Sequence, residues 1–94
     1  MTFVYKTTQT DIGGWPDERI IEKYVSYADL CFRLFGDRVK RWITFNEPWV
    51  FTRLGYGDGI HSPNLRMSGD FDYKAGHNVI RAHAMASRFF VILF

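Results

Sequence analysis

Val39 to Phe45 reads as a buried β-strand, because β-branched and aromatic residues dominate it. It stops abruptly on the polar pair Asn46-Glu47, and Pro48 follows. Proline has no N–H to give a central ladder, so the strand ends there. Pro48 also biases Glu47 toward an extended backbone and suits the first position of a helix. One amide and one carboxylate therefore stand where an apolar strand ends and a helix begins. In folds of parallel strands and helices, that carboxyl edge is where ligands bind and chemistry is placed.

The flanking sequence predicts helices on both sides. Gly13-Gly14-Trp15-Pro16 is a turn, and Asp17 is placed to cap a helix over 17–35. Its apolar stripe is Ile20, Ile21, Tyr24, Tyr27, Ala28, Cys31 and Phe35, with Glu18, Arg19, Glu22, Ser26, Asp29 and Arg33 opposite. Tyr24 and Tyr27 lie inside the stripe and read as core. Gly36 supplies a C-terminal stop. After the strand, Pro48 to Leu54 is predicted as a short helix, followed by a long loop holding Gly55, Gly57, Gly59 and His61. A second long helix is predicted over 72–90. Asp70 or Asp72 caps it, and Val79, Ala82, Ala86 and Phe89 or Phe90 form its buried stripe. Phe3-Val4-Tyr5 is a candidate short strand at the start.

Composition excludes several classes. A net charge of +2 is too small to argue for nucleic acid or an anionic membrane. Arg38, Lys40 and Arg41 read as a solvated strand entrance. Cys31 is the only cysteine, so an internal disulfide is excluded; it reads as a small buried hydrophobe. Met1 to Thr10 lacks the apolar core of a signal peptide, which leaves the compartment open. The apolar end Phe89 to Phe94 is too short to span a bilayer and reads as an aggregation hazard. No HExxH pattern is present, and His77 and His83 do not share a helix face, so no metal site is expected. Packing or hydrogen bonding is expected of both. The three loop glycines lack the lysine and serine of a phosphate loop, and no GxSxG elbow exists.

Thr44-Phe45-Asn46-Glu47-Pro48 resembles the acid/base motif of family 1 glycoside hydrolases, the β-glucosidase group. Gly13-Gly14-Trp15 is similar to the family's segment before its third barrel helix. Tyr27-Ala28-Asp29 and the run from Cys31 to Lys40 resemble the helix and turn leading into strand 4. Gly55-Tyr56-Gly57 and His61-Ser62-Pro63 resemble the loop after that strand. Ala75-Gly76-His77-Asn78 and Ala82-His83-Ala84 resemble the next helix. The resemblance runs from about Asp11 to Arg88. Residues 1–10 and 89–94 depart from the pattern, and the family's His-Trp-Asp-Leu-Pro segment is missing at the start.

The resemblance implies an α/β fold: part of a (β/α)8 barrel, roughly barrel unit 3 through helix 4. A whole barrel takes about 250 residues. This chain has 94, with 18% aromatic residues, more than so short a chain encloses efficiently. The expectation is a fragment of a single catalytic domain of a retaining β-glycosidase. Such an enzyme hydrolyses O-glycosidic bonds of β-glucosides or related β-glycosides and needs no metal or organic cofactor.

Retaining hydrolysis uses two carboxyl groups about 5–5.5 Å apart, one of them a proton donor with a raised pKa. Of the three glutamates, Glu18 and Glu22 fall on a polar helix face and only Glu47 sits at a strand end. The resemblance assigns Glu47 as the catalytic acid/base and Asn46 as the amide on the sugar 2-hydroxyl. Val50, Tyr56 and His61 are further candidate substrate contacts. Phe45, Trp42 and Trp49 are close enough in sequence to wall the acid. With no nucleophile strand present, the chain alone is expected to be inactive. Two alternatives stay open: a non-catalytic, klotho-like binding module, and a non-functional truncated product.

Overall fold

The computed structural model describes residues 13–93. The strand expected at Phe3–Tyr5 lies outside them. Two long helices, α1 (Ile20–Phe35) and α2 (Phe71–Leu93), pack along one another. Residues 36–70 return between them and carry a π-helical segment, Val50–Leu54. No helix among the described residues is long and apolar enough to cross a membrane.

α1 begins three residues later than predicted. The N–H groups of Asp17, Ile20 and Ile21 donate to Gly14, Asp17 and Glu18 carbonyls, all at 3.1 Å, so the chain enters through tight three-residue turns. Gly14 takes the left-handed φ of 73° that this entry requires. The Asp17 carboxylate accepts the Arg19 N–H at 2.9 Å and pairs with the Arg19 guanidinium at 2.7 Å. Those bonds hold its pKa down at about 2.

The buried face of α1 is Ile20, Ile21, Tyr24, Val25, Ala28 and Phe32. Ile20, Ile21, Tyr24 and Ala28 keep their predicted places, while Val25 and Phe32 are buried instead of Tyr27, Cys31 and Phe35; Tyr27 is half-buried. Phe32 replaces Phe35 because the returning chain brings Trp42 against it at 5.0 Å, and Phe90 of α2 closes from the other side at 5.2 Å. Phe35 is left 44% exposed, and Cys31 is half-buried rather than buried. Gly36 stays right-handed (φ −63°) and donates to the Phe32 carbonyl. The helix instead ends on basic side chains. Arg38 donates to the Leu34 carbonyl at 2.8 Å and Lys40 to that of Gly36 at 3.2 Å, satisfying carbonyls left free at a helix end.

α2 buries Ala75, Val79, Ala82 and Ala86, a stripe of helical spacing. Three alanines in that stripe let α1 approach closely. The helix runs on to Leu93, and Phe90 and Leu93 pack against the core. The apolar end is therefore helical up to that point, with Val91 and Ile92 left exposed. At its start, Asp72, the second residue of the helix, accepts the N–H groups of Gly69 at 2.9 Å and Tyr73 at 3.0 Å through one oxygen, so it ties the preceding turn to the helix rather than standing before it as a cap. Its other oxygen takes Arg53 at 3.1 Å.

The predicted strand is the main correction. Residues 39–45 form no strand among the described residues, and Ile43 is 87% exposed where burial was expected. A strand exists only through ladder hydrogen bonds to neighbours, and no neighbouring strand lies within residues 13–93. The described part is thus helical with long connections, rather than a visible piece of sheet. The segment is held from its sides instead. The Val39 N–H donates to the Phe35 carbonyl at 2.8 Å, and the Trp42 indole N–H donates to the Val39 carbonyl at 3.0 Å.

Candidate active site

Glu47 is exposed and has a left-handed backbone, φ 48°. The extended conformation expected of a residue before proline is not adopted. A left-handed non-glycine residue costs about 1–3 kcal/mol and persists only where its surroundings over-determine it. Those surroundings are visible. On the C-terminal side, Pro48 opens a helical turn and the Val50 N–H donates to the Glu47 carbonyl at 3.0 Å. On the N-terminal side, Phe45 is buried, stacked on Tyr24 at 4.6 Å and edge-on to Trp15 at 5.2 Å. The kink at Glu47 joins these two anchors and breaks strand alternation there. Asn46 and Glu47 are consequently both solvent-facing.

The apolar wall expected around Glu47 is not built from the three rings proposed. Phe45 turns into the core, Trp42 packs on Phe32, and Trp49 is 66% exposed. Two shallow grooves lie beside the segment, one lined by Thr44, Trp42 and His83, the other by Trp49, Thr52 and Tyr73. Neither is lined by Asn46 or Glu47.

The π-helical segment follows directly. Thr52 Oγ1 donates to the Pro48 carbonyl at 2.7 Å, and the Gly55 N–H is shared between the Phe51 and Thr52 carbonyls. Such wide turns concentrate at functional sites. Val50, its first residue, is half-buried. Tyr56 is fully buried, and its hydroxyl accepts the Trp15 backbone N–H at 3.2 Å. His61 is exposed on the following loop, where its backbone N–H donates to the Leu54 carbonyl at 3.0 Å. The structure thus groups Asn46, Glu47 and Val50 at one turn, sets His61 on the adjoining loop and places Tyr56 in the packing beneath.

Two residues near the turn were not singled out for it by the sequence. The Thr44 carbonyl accepts the Tyr24 hydroxyl at 2.6 Å, and Thr44 Oγ1 shares a 2.6 Å hydrogen bond with His83 Nδ1, its donor set by the imidazole tautomer. His83 therefore has the hydrogen-bonding role expected of it. Burial pushes the Tyr24 phenol up to about 12, with smaller contributions from Cys31 and Tyr27. Among the described residues no three acidic, histidine or cysteine side chains gather as a metal site.

The profile of glycosyl hydrolase family 1 matches residues 4–91. The chain belongs to glycosyl hydrolase family 1. Rat (Rattus norvegicus) lactase/phlorizin hydrolase is 55% identical over 74 residues, which is 79% of this chain and 4% of that protein. Guinea-pig (Cavia porcellus) cytosolic β-glucosidase is 49% identical over 76 residues, 81% of this chain and 16% of its own. Among solved structures, the family 1 β-glucosidase from Thermotoga maritima superposes with a TM-score of 0.78 at 44% identity, covering 83% of this chain and 18% of that one. The same T. maritima enzyme has been solved with cyclophellitol and with deoxynojirimycin. The family 1 chain described here thus spans less than a fifth of each of these three proteins.

Proposed function

We propose that this chain supplies the acid/base arm of a retaining β-glycosidase acting on β-glucosides or related β-glycosides. Glu47 donates a proton to the leaving glycosidic oxygen and later takes one from the attacking water. Asn46 holds the sugar 2-hydroxyl, and Val50 and His61 stand toward the entrance. The reading is carried by the backbone of Glu47: an exposed carboxylate on a strained left-handed residue, pinned on both sides. Strain of that kind clusters where a side chain must be aimed.

The residue order Asn46-Glu47-Pro48 within a family 1 chain supports the same assignment. Glu18 and Glu22 line a groove with Arg81 and Met85, which supports leaving them out of the chemistry. The second carboxylate then belongs to other parts of a family 1 domain. There, residues 39–45 gain the parallel neighbours that a barrel strand requires, and this chain contributes roughly one and a half of eight barrel units.

The test is a chimera in which this chain replaces the matching segment of the T. maritima enzyme. Glu47→Gln keeps the shape and removes the acid. Hydrolysis of an alkyl β-glucoside is expected to fall by about 10²–10⁴-fold. An activated aryl glucoside, which needs little protonation, loses far less in the glycosylation step. Equal activity of the two forms on the alkyl glucoside overturns the reading.

A further inference from the structure

We propose that Thr44, gripped by Tyr24 of α1 and His83 of α2, is the residue that positions Glu47; this rests on Glu47 being the acid/base. Thr44 is tied to both long helices by polar bonds, through its carbonyl to Tyr24 and through its hydroxyl to His83, each at 2.6 Å. The partners lie 20 and 39 positions away. The clamp therefore refers the arm to the whole two-helix frame and not to its local chain.

Only Phe45 and Asn46 separate the clamp from Glu47. Three residues span at most about 10 Å, so the clamp grips the chain close to the carboxylate. Phe45 cannot absorb a shift at Thr44, because its ring is stacked on Tyr24 and edge-on to Trp15. The two grips differ in kind. Tyr24 is 3% exposed and sets the depth of the segment against the core. His83 is exposed at the surface of α2, where a hydrogen bond adds little to stability. Its effect is directional: it holds the Thr44 side chain toward α2 and stops residues 40–44 from rolling about the Tyr24 contact. Without such a hold, the left-handed φ of Glu47 relaxes toward the extended backbone that Pro48 favours.

The experiment compares Thr44→Val, Thr44→Ser and His83→Ala. In the full 94-residue chain, the backbone N–H to Hα coupling and Cα shift of Glu47 report its φ by NMR. In the T. maritima chimera, kcat and KM are measured on an alkyl and on an activated aryl β-glucoside. Thr44→Val and His83→Ala are expected to move the Glu47 signals toward extended values. They lower kcat on the alkyl glucoside about ten- to hundredfold, the loss that a misplacement near 1 Å produces. KM and the activated substrate change little, and Thr44→Ser, which keeps the hydroxyl, rescues both readouts.

His83→Ala keeps the test open should Thr44→Val disturb the core. A purely structural role predicts equal losses on both substrates, and that result overturns the proposal. So do unchanged Glu47 signals in both Thr44→Val and His83→Ala at native helix content. If Glu47→Gln itself shows no dependence on leaving group, the acid/base reading falls and the positioning role with it. If Glu47→Gln does and these variants do not, the positioning role alone falls.

Discussion

The Asn78 side-chain amide donates to the Trp15 backbone carbonyl at 2.8 Å across 63 positions of sequence, in a buried setting. Trp15 in turn donates its own N–H to the Tyr56 hydroxyl. One turn residue thus ties α2 and the end of the π-helical region to the entry of α1. Asn78→Ala leaves the Trp15 carbonyl without that donor in a place water does not reach. The expected loss is about 1–3 kcal/mol, read as a lower denaturant midpoint with an unchanged slope. A midpoint equal to that of the parent chain would show that another group or a water replaces the amide.

Tyr24 makes stability depend on alkaline pH. Its phenol is neutral in the fold and pushed up to about 12 by burial, above an ordinary value of 10.0. A group whose pKa is raised on folding contributes fully below the unfolded value and loses that contribution as pH rises through the folded one. Melting temperature is therefore expected to hold to about pH 10 and to fall between about pH 10 and 12. Tyr24→Phe flattens this decline at a cost of about 1 kcal/mol at neutral pH from the lost bond to Thr44. Circular-dichroism melts of both forms from pH 8 to 12 check the shape, and parallel declines would contradict it.

Gly57 has no room for a methyl group. A Cβ there stands 2.6 Å from the Arg53 carbonyl oxygen and 3.0 Å from Asp72 Oδ2. Gly57→Ala pushes the loop away from α2 and strains the Arg53–Asp72 ion pair, which is 3.1 Å long. Overpacking of this kind costs about 1–3 kcal/mol. Faster amide exchange across residues 53–70, with α1 protection unchanged, is the expected signature. Uniform loosening of the whole chain would assign the glycine a different role.

The 94-residue chain by itself is expected to hydrolyse no glycoside. Retaining chemistry needs a nucleophile about 5–5.5 Å from the acid, and the other two glutamates line a groove between the helices. The exposed Ile43, at 87%, and the exposed Val91 and Ile92 also favour association. A purified monomer assayed on an aryl β-glucoside from pH 4 to 9 gives the answer. Turnover that follows the monomer peak and vanishes in Glu47→Gln would mean that this chain, or another copy of it, supplies the second carboxylate.

Both long helices were legible in the sequence, because an apolar stripe at helical spacing is a local property of the chain. So was the address of the candidate site, since a β-rich run ending on Asn46-Glu47-Pro48 is written in consecutive residues. What lay out of reach depended on partners distant in sequence. The buried stripe of α1 ends on Phe32 because Trp42 and Phe90 meet Phe32 and not Phe35. Phe45 left the expected wall of the site because Trp15 and Tyr24 offered it a stacked, buried seat. Glu47 took a left-handed backbone against the preference set by its proline, since anchors on either side outweigh a local cost of about 1–3 kcal/mol. Residues 39–45 carry strand composition and form no strand among the described residues, because a ladder is made between neighbouring strands and never by a single segment. Composition can nominate such a strand. Only neighbours able to exchange its N–H and C=O bonds can make it one.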